Sequence, residues 1–214
     1  MTIRSVYFSL TVPLAVLLLT QIGCLSEPSR IVAPSIDANA AGEEAVKLYD
    51  ANHDGKISGA ELDKVPSLLK GLTLGNFDTP KVKATKEKGV TAADITTRIK
   101  AWQETRTGRV GGVVCKVTRK GKDLAGANVK FVPEKFLGGS MPECSGTTGP
   151  DGSAQISVPL TGPDDAPGVP PGYYRVEVTM PDGSIPAKYN TQTIFGEEIF
   201  PDKRREGGII FDIK

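Results

Sequence analysis

Six residues in the stretch Asp50–Glu61 carry oxygen at the spacing that a hard divalent cation requires. Asp50, Asn52 and Asp54 stand at positions 1, 3 and 5, Lys56 at 7, Ser58 at 9 and Glu61 at 12. The stretch fits the pattern D-x-[DN]-x-[DN]-G-x5-E at every defined position. Calcium takes oxygen ligands, and the side chains of Asp50, Asn52 and Asp54 all supply them. Lys56 would offer its backbone carbonyl, Ser58 its hydroxyl or a bound water, and Glu61 both carboxylate oxygens. Gly55 at position 6 permits the sharp turn. At average residue usage, the defined positions match by chance in a chain this long on the order of once in a few thousand.

Such a loop needs a helix on either side. Ala45, Val46, Leu48 and Tyr49 precede it, and Leu62, Val65, Leu68 and Leu69 follow it, apolar residues at helical spacing. The loop and its flanks resemble an EF-hand. Pro66 should interrupt the exiting helix, because proline blocks its continuation and biases Val65 away from helical geometry. The expectation is helix over Ser58–Lys64 and a new helical start at Pro66 running through Leu72. Loops of the EF-hand kind work in pairs, and Val90-Thr91-Ala92-Ala93-Asp94 repeats the form of Ile57-Ser58-Gly59-Ala60-Glu61. That alignment puts Lys83, Thr85, Glu87, Lys88 and Asp94 at positions 1, 3, 5, 6 and 12. Ligands are missing at 1 and 3, the glycine is displaced to Gly89, and Lys81, Lys83, Lys86 and Lys88 oppose a cation. This partner loop is read as degenerate, keeping an Ile57–Val90 contact while binding no calcium. A helix over Thr91–Gln103 should carry Ile95, Ile99 and Trp102 on one face.

Residues 1–23 read as an export signal: Arg4 supplies the basic start and Val6–Leu19 the apolar run, which is short for a membrane span. Gly23-Cys24 directly after it resembles a bacterial lipobox, in which the cysteine is lipidated, although Gln21 stands where an aliphatic residue is usual. Ordinary signal cleavage nearby is the alternative, giving a secreted protein. The polar stretch 24–35, with Pro28 and Pro34, reads as a tether.

From Gly108 onward helical spacing gives way to alternation. Val113, Cys115 and Val117 share a face, as do Val129 and Phe131, then Ile156 and Val158, then Tyr174, Val176, Val178 and Met180, and finally Ile209, Phe211 and Ile213. Period-two runs separated by Gly-, Pro- and Asp-rich turns read as an antiparallel β-sandwich. Gly112–Cys115 with Lys122–Pro133, Thr147–Ile156 and Pro170–Val176 together resemble a transthyretin-like or carboxypeptidase regulatory-like domain. Ala154 stands where that family often has an aromatic.

His53 is the only histidine and falls at loop position 4, pointing away from the ion, so no Ser-His-Asp or Cys-His catalyst can be assembled. Glu197-Glu198 and Asp164-Asp165 are the remaining acid–base candidates, read as solvated loop residues. Cys115 and Cys144 form a disulfide or stay as two separate buried thiols; both fit an exported protein. Lys116 and Asp212 lie on the first and last strands, but an aspartate replaces the asparagine of a Lys–Asn crosslink and both face outward. Net charge is +1, and the run Lys203-Arg204-Arg205 lacks interleaved aromatics, which argues against nucleic acid.

The sequence thus implies an α + β chain of two domains: an EF-hand pair over 36–107 and a transthyretin-like β-sandwich over 108–214. It points to a non-enzymatic, calcium-binding protein of the cell envelope, held to the membrane by lipid on Cys24, with a structural or adhesive sandwich. The alternatives are a module that binds carbohydrate or a protein partner, with Tyr173 and Tyr189 as exposed aromatics, or an accessory domain to an envelope enzyme. The short linker between the domains suggests a calcium-stiffened stalk.

Overall fold

A computed structural model describes residues 31–79, 83–162, 165–201 and 208–214. The export signal, Cys24, Lys81, Asp164 and the run Lys203-Arg204-Arg205 lie outside the described residues.

The chain is mixed α + β. Helix α1 spans Ala38–Tyr49, capped by the Asp37 carboxylate, which accepts from the amides of Asn39 and Ala40. Its buried face is made of small residues, Ala38, Ala41, Gly42 and Ala45, while Leu48 is exposed. Small residues are needed because the next helical layer comes very close: a Cβ on Gly42 would meet the Ala92 carbonyl and the Thr96 hydroxyl. After the loop, a 3-10 turn covers Gly59–Lys64 and ends at Val65, and α2 starts at Pro66 and runs to Thr73. The proline break therefore falls where the sequence puts it. Strand β1 (Lys56–Ile57) pairs antiparallel with β2 (Val90–Thr91), with Ile57 opposite Val90. Helix α3 (Ala92–Glu104) follows, with Ile95, Ile99 and Trp102 as its buried face.

The second half forms two four-stranded sheets. One holds β3 (Val114–Arg119), flanked by β4 (Lys122–Asp123), β7 (Ser153–Gln155) and β10 (Ile209–Ile213). The other runs in the order β6 (Cys144–Thr147), β5 (Asn128–Pro133), β8 (Gly172–Thr179), β9 (Gly196–Ile199). The facing side chains meet at Phe131 and Phe211, whose ring centroids are 6.2 Å apart. Residues read as inward, such as Val117, Val129, Phe131, Val176 and Ile213, are buried. The β3–β4 turn is a two-residue connection with Lys120 and Gly121 both at positive φ, 53° and 74°, the geometry that matches strand twist in tight hairpins. One pairing departs from an antiparallel arrangement. Strand β10 lies parallel to β3, Phe211 opposite Val117, because the chain returns to the first strand from the far end of the second sheet rather than through a hairpin.

The two halves are not separated by a bare linker. Helices α2 and α3 lie on the outer face of the second sheet, so the buried residues of both halves join one core. Trp102 of α3 packs edge-on against Tyr173 of β8, centroids 4.8 Å apart, a contact worth about 0.5–1.5 kcal/mol beyond the area it buries. The start of α2 presses on β9 so closely that a Cβ on Gly196 would collide with the backbone of Pro66 and Ser67. Two expectations change as a result. Tyr173 does not face solvent but is fully buried, since the outer face of its sheet is an inner face of the helical layer. Tyr189 is also buried, stacked on Phe195 at 5.2 Å. Neither tyrosine offers a stacking platform. The stalk picture gives way to a helical layer seated on a sheet. Even the end of the tether touches the body, where the Ser140 hydroxyl donates to the Ser35 carbonyl at 2.9 Å. No helix among the described residues is long and apolar enough to cross a membrane.

Candidate metal centre

The loop Asp50–Glu61 closes on itself through its own amides. Asp50 caps the end of α1 and is buried. Its Oδ1 accepts from the Asp54 amide at 3.2 Å and its Oδ2 from the Gly55 amide at 2.8 Å. Asn52 Oδ1 accepts from the Asp54 amide at 2.9 Å, and Asp54 Oδ1 from the Lys56 amide at 3.2 Å. Positive φ at His53 (60°) and Gly55 (85°) bends the chain tightly enough to bring these groups round. His53 itself is exposed.

Glu61 reaches back across the loop. Its Oε1 accepts from the amides of Ala51 at 2.8 Å and Asn52 at 3.2 Å, and its Oε2 from the Ser58 amide at 3.0 Å. With Ser58 it forms a reciprocal capping box on the 3-10 turn. The amide of Ser58, then those of Ala51 and Asn52, hold the Glu61 carboxyl below the usual range, while burial and the nearby Asp50 carboxylate push it the other way. The loop therefore places the carboxylates of positions 1 and 12 close to each other, an electrostatic arrangement that a cation relieves.

Among the described residues no three His, Cys, Asp or Glu side chains converge into a metal-binding group. The three loop carboxylates are turned to backbone amides instead. The side-chain donors are nevertheless all oxygen, from Asp50, Asn52, Asp54, Ser58 and Glu61, with the Lys56 carbonyl at position 7. That chemistry fits a hard cation and not a thiolate- or imidazole-seeking one.

The partner loop supports the first mechanically. Its Gly89 has φ +75°, and a side chain there would strike the Ile57 carbonyl. The Gly59 amide donates to the Lys86 carbonyl at 2.9 Å, and the Lys86 ammonium sits 2.6 Å from Asp63. Asp94, at position 12, is engaged in a capping box with Thr91 at the start of α3.

Among the described residues, three glutamates outside the loop are the most deeply buried charged groups. Glu198 of β9 accepts from Arg98 Nε at 2.5 Å, from Trp102 Nε1 at 3.0 Å and from Asn76 Nδ2 at 2.5 Å. Burial raises its carboxyl, and Arg98, Asn76 and Trp102 counter that. Glu134, just after β5, is fully buried. Its Oε1 accepts from the Ser67 hydroxyl at 2.7 Å and its Oε2 from the Tyr49 hydroxyl at 3.2 Å. Burial pushes Glu134 up to about 7, against the pull of Ser67, Arg175 and Tyr49. Glu197, the neighbour of Glu198, is buried as well.

Glu197 and Glu198 are not a solvated loop pair but interior positions of β9. Adjacent strand residues point to opposite faces, so their carboxylates do not form an acid–base pair. Glu198 turns to the helices, whereas Glu197 lies opposite Tyr174 in the ladder with β8. A signal was present in the sequence, since Phe195, Ile199 and Phe200 enclose the two acids. Asp165 serves its own turn, accepting from the Thr161 amide and hydroxyl and the Gly162 amide.

Cys115 and Cys144 are both free and buried, so the disulfide alternative is not realised. They lie on different sheets, Cys115 paired with Ala154 and Cys144 with Phe131, and Cys144 Sγ is directed to the Pro142 carbonyl. Burial pushes both thiols up to about 12, which leaves little thiolate to react. The native protein is expected to resist alkylation at both positions. In denaturant without reductant each should take one alkyl group by mass; no uptake would reveal a bridge. Lys116 pairs with Asp123 at 2.8 Å, and Asp212 accepts from the Thr118 hydroxyl at 2.7 Å, so the two residues have separate partners.

Comparison with protein-family models, with curated proteins and with solved structures returns no match for this chain.

Proposed function

We propose that this protein is a non-enzymatic calcium-binding protein of the cell envelope, in which an EF-hand-like helical layer braces a transthyretin-like pair of sheets that serves as a structural or adhesive module. Calcium would be held by Asp50, Asn52, Asp54, the Lys56 carbonyl, Ser58 and Glu61. The observation that carries the reading is the closed loop Asp50–Glu61, joined to its partner through the Ile57–Val90 pairing. The second loop would bind no ion, given its missing ligands at Lys83 and Thr85 and its lysines. Export and a lipid anchor on Cys24 rest on the residues of 1–24 alone.

Outside cells calcium is abundant, so a site with three carboxylates would be permanently filled and would stabilise rather than signal. Titration calorimetry of the purified protein should show one calcium per chain. Glu61→Gln, which removes a charge and one of the two closing oxygens, should weaken binding by about a hundredfold or more, on the order of 3 kcal/mol. Absence of calcium heat, or equal heat in the Glu61→Gln protein, would defeat the proposal.

A further inference from the structure

The loop has two stems, and both are tied to the same carboxylate. Tyr49 is the last residue of α1 and the neighbour of Asp50, the first ligand position. Ser67 is the second residue of α2, entered directly from the 3-10 turn that carries Glu61. The Tyr49 hydroxyl donates to Glu134 Oε2 at 3.2 Å and the Ser67 hydroxyl to Glu134 Oε1 at 2.7 Å. Glu134 belongs to the sheet half: its own amide donates to the Tyr173 carbonyl at 2.9 Å, and its side chain is fully buried. The tie has apolar support, because the Tyr49 ring packs edge-on against Phe136, centroids 6.4 Å apart, and Phe136 packs against Tyr173 at 6.0 Å.

From this geometry we propose that Glu134 is a positioning residue for the ion loop: it fixes the spacing of the entering and exiting stems so that the loop from Asp50 to Glu61 is closed before the ion arrives. This rests on the calcium reading given above. In sensor proteins of the helix–loop–helix kind, binding changes the angle between the flanking helices. Here that change would pull Tyr49 and Ser67 apart and strip a buried carboxylate of one of its two hydroxyl donors, which is costly for a group that water does not reach. The stems are therefore locked, and the ion finds its loop already ordered. Pre-organisation of this kind raises affinity by lowering the ordering cost of binding. The same tie makes loop occupancy felt in the sheets through Glu134 and Tyr173.

Tyr49→Phe and Ser67→Ala each remove one hydroxyl and leave the apolar packing in place. The full chain carrying both substitutions is to be compared with the unsubstituted protein by calcium titration and by hydrogen exchange of the Ala51, Asn52, Gly55 and Ser58 amides in chelator. Thr73→Ala is the control; it removes a hydroxyl of α2 that only returns to the Leu69 carbonyl. The double variant should bind calcium about tenfold more weakly, and its loop amides should exchange faster while those of Val129 and Phe131 in β5 do not. That locality separates positioning from general loss of stability. Unchanged loop exchange and affinity, or equal acceleration in β5, would overturn the proposal. Should the unsubstituted protein take up no calcium, the calcium reading fails, and the exchange data decide the tie alone: faster loop exchange upholds it and equal exchange overturns it.

Discussion

Glu198→Ala is expected to lower the free energy of unfolding by about 3–5 kcal/mol, the usual cost of breaking a buried ion pair from one side. The pair is well shielded, with side-chain exposures of 11% for Arg98 and 1% for Glu198. The substitution deprives Arg98, Trp102 and Asn76 of the carboxylate they share. It also removes the carboxylate that joins α3 to β9. A chain of this size loses roughly 2–4 °C in Tm per kcal/mol, so the midpoint should fall by about 6–20 °C. Trp102 is the only tryptophan and sits at this seam, so its fluorescence reports the unfolding directly. Pairing Glu198→Leu with Arg98→Met should restore much of the loss, because an apolar pair of similar volume often replaces a buried ion pair without cost. A loss below about 1 kcal/mol for Glu198→Ala would show that the carboxylate is not a mooring.

The second large effect concerns pH. Glu134 is pushed up to about 7 by burial, against an ordinary value near 4.5. Between those values the folded chain holds a proton that the unfolded chain has released, so stability falls as pH rises through the window and levels off above it. At 1.36 kcal/mol per pH unit the full excursion is roughly 3 kcal/mol. Glu198 is displaced in the same direction and adds to the same slope. At lower pH the sign reverses. Asp151, Asp182, Asp212 and Glu61 are held below their ordinary range by hydrogen bonds, so their contributions are present above it and are lost on acidification. Urea unfolding across this range should therefore find maximal stability on the acid side of neutrality. Glu134→Gln should flatten the decline between about pH 5 and 7. Stability that rises over that interval in the unsubstituted protein, or an unchanged slope in the variant, would contradict the assignment.

The parts legible in the sequence are those governed by near neighbours. Asp50–Glu61 declares its turn through Gly55, and its partner through the repeated pattern at Val90–Asp94. Pro66 announces a break because its missing amide acts locally. Alternation in β3, β5 and β8 identifies the faces that meet between the sheets. What the sequence does not disclose is the third layer. Tyr173 reads as solvent-facing by strand alternation and Glu198 as a solvated loop residue, yet α2 and α3 cover both. Phe195, Ile199 and Phe200 mark the β9 acids as interior, but no residue near β8 or β9 says that the cover is a pair of helices from the other half of the chain. Glu134 is hidden for the same reason: its two hydroxyl partners belong to the helical half. Leu48 misled in the other direction, since α1 buries its alanines and glycine and needs close approach more than bulk. The parallel β10–β3 pairing likewise comes from long-range closure, which turn chemistry does not mark.

In the proposed function, calcium at Asp50–Glu61 supports a single unit of helices and sheets. Scanning calorimetry of the purified protein, with calcium at about a hundred times its dissociation constant and again in chelator, tests it most directly. Binding of that strength contributes about 2.7 kcal/mol, so one cooperative transition should move upward by roughly 5–10 °C. A transition that does not move, or two transitions of which only one responds to calcium, would contradict the account.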